Sequence, residues 1–84
     1  MDYPVRTPAQ LGQLLKGLRR ERGMTQVDVA ARMGLLQSKI SVLEANPGKT
    51  SVERLLRLLS VLGAELVLRP RGAAKQRRRP REQW

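Results

Sequence analysis

The side chains best suited to recognise a ligand lie together in the middle of the chain. Gln37, Ser38, Lys39 and Ser41 supply an amide, two hydroxyls and an ammonium group. Such groups form directional hydrogen bonds: a glutamine amide matches an adenine edge, and a lysine suits guanine or a phosphate. Catalysis is a poor match, because the 84 residues contain no Cys and no His and so lack the usual thiolate, general base and zinc ligands. We therefore expect no catalytic residue, no metal and no cofactor.

The spacing around these side chains predicts two helices that cross closely. Ala30 is small where the second helix must approach, and Gly34 allows a positive φ at the end of the first helix. Ile40 and Leu43 share the inner face of the second helix, so the polar side chains named above face outward. Residues 24–44 thus have the spacing of a helix-turn-helix. The chain carries 17 Lys+Arg against 7 Asp+Glu, and the ligand that fits this charge best is DNA.

Caps and hydrophobic periodicity predict four helices. They cover, in order, about residues 8–22, 26–33, 37–45 and 51–62. Capping boxes at Thr7–Gln10 and Thr50–Glu53, together with a cap at Thr25, mark three of the four starts. The apolar face of the fourth helix is wider than one small core requires, which indicates a second buried face.

After Gly63 the periodicity changes from that of a helix to that of a strand. Residues 64–69 are predicted to form one short strand, which ends at Pro70. Because a single strand leaves its backbone groups unpaired, we expect it to pair with a second copy across a two-fold axis, above the fourth helix. The predicted dimer interface comprises Leu59, Leu62, Leu66, Val67 and Leu68.

Positive charge is concentrated in the last part of the chain. Residues 69–84 contain seven Lys/Arg and one acidic residue, Glu82. Their composition predicts a domain over residues 1–69 and a basic, flexible tail over residues 70–84. Trp84 has no core to join in such a tail, so it is either accidental or an anchor for a pocket of another protein. No apolar run has the length of a membrane span and the start does not resemble a signal peptide, so the expected location is the cytoplasm.

The motif resembles the Xre-type helix-turn-helix family, to which lambdoid phage repressors belong. The resemblance is carried by Thr25-Gln26, Ala30, Gly34, Gln37, Ile40-Ser41 and Leu43-Glu44. The single C-terminal strand, the polar tail, the opening Thr7–Leu11, the Asn-Pro turn after the third helix and Trp84 resemble, more narrowly, the HipB-type antitoxins of toxin-antitoxin operons. The resemblance implies an all-α, lambda-repressor-like bundle of four to five helices, followed by the strand and the tail.

The resemblance also implies roles for particular residues. Gln26 would lie against a phosphate and brace Gln37, which would read a base edge, while Arg19 and Glu44 would form a structural ion pair. Leu36 departs from the family, which usually has a Ser or Thr cap there; a lost cap costs about 1 kcal/mol. Leu36 is then either a contact to a thymine methyl group or a neutral replacement. The full set of predicted DNA-binding residues is Gln26, Leu36, Gln37, Ser38, Lys39, Ser41 and Lys49.

Two compatible functions follow from these features. The chain is expected to be a dimeric, nucleoid-associated repressor that binds a palindromic operator. The resemblance implies that it also binds and neutralises a HipA-type serine/threonine kinase toxin; the alternative is a stand-alone Xre-type repressor with no toxin partner. RNA binding is disfavoured by the scarcity of stacking aromatic residues, and membrane binding by the absence of an amphipathic apolar face in the tail.

Overall fold

Four α-helices and one 3₁₀ turn make up the framework of the described residues. The computed structural model describes residues 2–71. The elements are α1 (Pro8–Glu21), α2 (Gln26–Met33), α3 (Gln37–Ala45), the 3₁₀ turn (Pro47–Lys49) and α4 (Val52–Val61). The predicted all-α helix-turn-helix fold is confirmed, and the helix bounds lie within one residue of the predicted ones.

Hydroxyl side chains begin three of the four helices. Thr7, Thr25 and Ser51 each accept a hydrogen bond from the backbone N–H three residues later, at 3.1, 3.0 and 3.0 Å. At α2 the bond is reciprocal, because the carboxylate of Asp28 accepts from the N–H of Thr25 at 2.8 Å. Stabilisation of the charged carboxylate by this backbone N–H lowers the pKa of Asp28. The helix α3 is the exception, since Leu36 precedes it without a side-chain cap.

The cap of α4 differs from the prediction. Ser51 holds this position, so the predicted capping box that starts at Thr50 is wrong by one residue. The reason is that Thr50 ends the preceding 3₁₀ turn, where its N–H donates to the carbonyl of Pro47 at 3.2 Å. Both residues carry a hydroxyl, and only the path of the turn distinguishes them.

The hydrophobic core is built from all four helices. The helix α3 packs against α1 and α2, and α4 packs against α2. Gly34 has a φ of +68°, which lets the chain leave α2 and turn into α3, as the sequence predicts. The buried apolar side chains are Leu15, Val29, Ala30, Met33, Ile40, Leu43, Leu58, Leu59 and Leu62.

The predicted dimer residues separate into two groups. Leu59 and Leu62 are buried in the core of the single chain, so their side chains are already enclosed without a second copy. Leu66, Val67 and Leu68 are exposed, with 53%, 60% and 88% of their surface accessible. Within the described part of the chain, residues 64–70 form neither helix nor strand. A strand here requires backbone partners that one chain does not supply, so the strand and the dimer stay predictions.

Most of the predicted tail, including Trp84, lies outside the described residues. The predicted tail begins at Pro70, and only its first two residues belong to the described range. The Arg77–Arg79 run and Trp84 are beyond it. Among residues 2–71, no helix combines the length and the apolar character needed to cross a membrane.

Close contact between α1 and α3 depends on a glycine. A Cβ atom placed on Gly12 would lie 2.4 Å from the backbone oxygen of Glu44 and 3.4 Å from a ring carbon of Pro47. The nearest atom belongs to backbone, so it cannot move aside as a flexible side chain would. The absence of a side chain at Gly12 therefore sets the distance between α1 and the end of α3.

We expect Gly12→Ala to destabilise the protein and Gly17→Ala to stabilise it. Overpacking of a close helix contact costs about 1 to 3 kcal/mol. Gly17 lies on the same helix, and a Cβ atom added there would meet nothing within 4 Å. Alanine at this position should therefore gain about 0.5 to 1 kcal/mol of helix propensity. Urea unfolding of both variants measures the difference. Equal effects of the two substitutions would contradict a close α1–α3 contact.

Candidate nucleic-acid interface

The outer side of α3 presents most of the predicted contact residues together. The exposed ones are Gln37, Ser38, Lys39 and Ser41, while Ile40 and Leu43 point into the core. Leu36 is 71% exposed immediately before the helix, and Lys49 is exposed on the 3₁₀ turn after it. The structure thus gathers the predicted residues around one short helix.

A buried ion pair attaches this helix to α1. The guanidinium of Arg19 donates from Nε to Glu44 Oε2 at 2.5 Å and from Nη2 to Glu44 Oε1 at 3.2 Å. A third bond runs from Arg19 Nη1 to the carbonyl oxygen of Met24 at 2.9 Å. Only 7% of Arg19 and 8% of Glu44 is exposed. A bidentate pair has a defined geometry, so it fixes the orientation of α3 relative to α1.

Two glutamines extend this pair to the surface. Gln26 Nε2 donates to Glu44 Oε1 at 3.1 Å, and Gln37 Nε2 donates to Gln26 Oε1 at 2.5 Å. The result is one continuous network of four side chains, Arg19, Glu44, Gln26 and Gln37, which we call the Arg-Glu-Gln-Gln network. It runs from α1 through α3 and α2 and ends at the exposed first residue of α3.

The network leaves a specific pair of hydrogen-bonding groups at its outer end. One N–H of the Gln37 amide is used by Gln26. A primary amide has a second N–H and a carbonyl oxygen, which are a donor and an acceptor side by side. Adenine presents the complementary pair in the major groove, with N7 as acceptor and the N6 amino group as donor. Gln37 is therefore held in a form that matches an adenine edge.

Two shallow grooves lie beside α3, and Gln26 and Glu44 of the network line one of them. The first contains three cationic side chains, and its full lining is Lys39, Val42, Leu43, Asn46, Lys49, Thr50, Ser51 and Arg54. The second lies between α1 and α3 and is lined by Gln13, Lys16, Gln26 and Ser41 among others. A helix bordered by cations and hydrogen-bond donors on two sides has the arrangement needed to sit between two phosphate backbones.

The exposed face of α3 carries no negative charge. Glu44 is the only carboxylate of this helix, and it is buried against Arg19. The carboxylate of Glu44 is thus used inside the protein, and Lys39 gives the outer face of α3 a positive charge. In residues 2–71 there is also no group of His, Cys, Asp and Glu able to hold a metal ion.

Two features of this surface were not predicted from the sequence. Arg54 lines the first groove although no motif singles it out; its signal was its place in the first turn of the helix that follows Lys49. The bond from Gln26 to Glu44 was also missed, because the brace and the ion pair were treated as separate features. Nothing in the spacing of residues 26 and 44 alone indicates that contact.

Comparison of the sequence with known proteins identifies the family of this chain. Residues 10–72 match the family described as "Helix-turn-helix domain". "Antitoxin HipB" of Escherichia coli O6:H1 (strain CFT073) is 33% identical over 64 residues, which is 76% of this chain and 68% of the relative. "Antitoxin HipB" of Escherichia coli K12 is 31% identical over 64 residues, covering 76% of this chain and 73% of that protein.

Solved structures agree with the sequence relatives. The structure named "HipB-O4 20mer complex" superposes with a TM-score of 0.76 at 28% identity, covering 83% of this chain and 99% of that one. The "Structure of HipA-HipB-O2-O3 complex" gives a TM-score of 0.77 at 28% identity, covering 83% of this chain and 99% of the matched one.

We expect the Arg19–Glu44 pair to be costly to break and tolerant of complete replacement. Glu44→Leu leaves the guanidinium of Arg19 buried without an opposite charge and should lower the free energy of unfolding by about 3 to 5 kcal/mol. The double variant Arg19→Met, Glu44→Leu removes both charges and should recover most of that loss. Urea unfolding measures both.

The exposed pair of Arg69 and Asp2 is the matched control. Its two side chains are each 67% exposed, and the hydrogen bond from Arg69 lowers the pKa of the Asp2 carboxyl. Solvent screens such a pair, so Asp2→Asn should leave the unfolding midpoint unchanged. A small effect of Glu44→Leu, comparable to that of Asp2→Asn, would show that the buried pair does not hold α3.

Proposed function

Because this chain belongs to the Xre-type helix-turn-helix family and is a HipB-type antitoxin, we propose that it represses its own operon by binding a palindromic operator and neutralises a HipA-type serine/threonine kinase. Its place of action is the cytoplasm, on the nucleoid. Several solved HipB structures similar to this chain are named as complexes of HipB with O1 and O2, with an O2 20mer or with an O4 20mer. In this chain, the proposal of DNA binding rests on residues 26–49.

The single observation that supports recognition of a specific DNA sequence is the restrained side-chain amide of Gln37. An exposed glutamine loses rotamer freedom when it binds, and this loss weakens the contact. Gln26 already restrains the Gln37 amide through the bond at 2.5 Å. The remaining donor and acceptor then meet an adenine with less entropy to lose. Gln37 therefore acts as the base-reading residue, with Ser38 and Ser41 beside it on the same outer side.

Phosphate contacts come from the two grooves beside α3. Lys39, Lys49 and Arg54 would neutralise one strand, and Lys16 with Gln26 would meet the other. One N–H of the Gln26 amide donates to Glu44, which leaves the second for a phosphate oxygen. Such contacts position the helix in the major groove but carry no sequence information.

The DNA-binding proposal is tested by Gln37→Ala. Loss of one bidentate base contact should weaken operator binding by about 1 to 3 kcal/mol and leave binding to random duplex DNA nearly unchanged. Titrations with a selected operator and with a scrambled duplex measure both affinities. Equal losses on the two duplexes would contradict base reading by Gln37.

Lys49→Ala is the contrasting control in the same titrations. A phosphate contact should be lost equally on operator and random DNA, and the slope of log affinity against log salt should fall by about 0.9 per phosphate contact. A protein that binds neither duplex in its wild-type form would overturn the proposed function itself.

We propose further that two copies act together through residues 64–69. Leu66, Val67 and Leu68 form a continuous exposed apolar run, and Val52 and Leu56 of α4 are exposed as well. Burial of such a run against the same run of a second copy would satisfy both its backbone and its side chains. A two-fold dimer would set the two α3 helices about 34 to 36 Å apart, one turn of DNA.

We expect the double variant Leu66→Asp, Leu68→Asp to sediment as a monomer and to lose operator binding. Leu66 and Leu68 would share one face of a strand, so two carboxylates there would be desolvated without partners. The matched control is Leu66→Val, Leu68→Val, which keeps apolar, strand-favouring side chains and should stay dimeric. An aspartate variant that remains a dimer would place the interface elsewhere.

The proposal of a kinase partner is supported by one of the similar solved structures. A similar solved structure is named as a complex of HipA, HipB, O2 and O3. Trp84 lies outside the described residues, and we propose it as an anchor in the pocket of the kinase. The second candidate function, a stand-alone repressor, requires no such partner.

Deletion of Gln83 and Trp84 separates the two functions. The deletion removes no cationic side chain, so operator binding by the antitoxin alone should not change. Its complex with a HipA-type kinase should weaken by about 2 kcal/mol or more if Trp84 is an interface anchor. Calorimetry with the purified kinase measures this. An unchanged dissociation constant would remove Trp84 from the interface, and no binding of the full chain would favour the stand-alone repressor.

A further inference from the structure

Leu36 is an apolar side chain placed where the chain elsewhere uses a hydroxyl. It is the N-cap residue of α3, with extended backbone (φ −77°, ψ 150°), and makes no capping hydrogen bond. The other three helices begin at Thr7, Thr25 and Ser51, each of which caps its helix. Leu36 is also 71% exposed, so it adds nothing to the core. In the free protein the side chain of Leu36 therefore neither caps the helix nor adds to the core.

The neighbours of Leu36 show what it would meet when α3 enters a major groove. It directly precedes Gln37, whose amide is held in the form that matches adenine. An adenine in the major groove is paired with a thymine, which presents a C5-methyl group on the same edge of the base pair. That methyl is the apolar group in the major groove, and contact with an apolar side chain is the way in which proteins read it.

We propose that Leu36 is a specificity-determining residue that contacts the C5-methyl group of a thymine in, or directly next to, the A·T pair read by Gln37. This inference rests on the proposed DNA-binding function and adds to it a second base-reading group of a different chemical kind. Gln37 reads a donor and an acceptor by hydrogen bonds, and Leu36 reads a methyl group by burying it. Where both contact the same base pair, they distinguish A·T from G·C on both strands.

The experiment replaces thymine by uracil, which removes only the methyl group. Operator duplexes are first selected from a random library with the wild-type protein and with Gln37→Ala, which locates the pair that Gln37 reads. Each thymine of one half-site, in or next to that pair, is then changed to deoxyuridine. Burial of one methyl group corresponds to about a threefold to fivefold change in affinity, so one such replacement should weaken wild-type binding by that factor.

Two variants assign the effect to Leu36. Leu36→Ser supplies a cap but no apolar contact, so its affinity should be equal for the thymine and uracil duplexes. Its unfolding midpoint should rise by about 4 to 8 °C because the α3 cap is restored, which shows that the variant is folded. Leu36→Met keeps an apolar side chain and lacks a cap, and it should retain the preference for thymine.

The outcomes separate this inference from the proposed function. Selective operator binding with no uracil effect at any position overturns the role of Leu36 and leaves the DNA-binding function intact. A uracil effect of the same size in wild type and Leu36→Ser also overturns it, because another group then reads the methyl. Failure of the wild-type protein to select any duplex overturns both.

Discussion

The buried pair of Arg19 and Glu44 is the interaction on which the binding surface depends. Removal of two charges from water costs several kcal/mol per ion, and it is tolerated only when the geometry is good and the remaining polar groups are satisfied. Both conditions hold: Arg19 is bonded to Glu44 and to the carbonyl of Met24, and Glu44 is bonded to Arg19 and Gln26. No buried side-chain polar atom in the described part of the chain lacks a partner.

This pair connects packing to recognition in two ways. It holds the end of α3 against α1 where Gly12 permits close approach, so the position of α3 is set from its buried side. It also turns the carboxylate of α3 inward, which leaves an outer face free of negative charge. The network continues through Gln26 to Gln37, so the side chain proposed to read a base is restrained by the interior of the protein. A substitution that disturbs the buried pair is thus expected to change the affinity for DNA as well.

Features that depend on neighbouring residues were predictable from the sequence, and features that depend on the folded arrangement were not. The helices and the positive φ of Gly34 follow from local caps, periodicity and glycine. The brace between Gln26 and Gln37 came only from the resemblance to a family. The contact of Gln26 with Glu44 and the place of Arg54 in a groove arise from how α2, α3 and α4 pack, and local patterns do not encode that. The predicted strand would need backbone partners from a second copy, so a single chain does not test it.

A double-mutant cycle between Gln26 and Gln37 tests most directly whether the network positions the reading residue. Operator affinity would be measured for the wild type, Gln26→Ala, Gln37→Ala and the double variant. If Gln26 acts by holding Gln37, its loss matters less once Gln37 is absent, and the two effects should fall short of additivity by about 0.5 to 3 kcal/mol. Additive effects would contradict the account, because Gln26 would then contact DNA independently of Gln37.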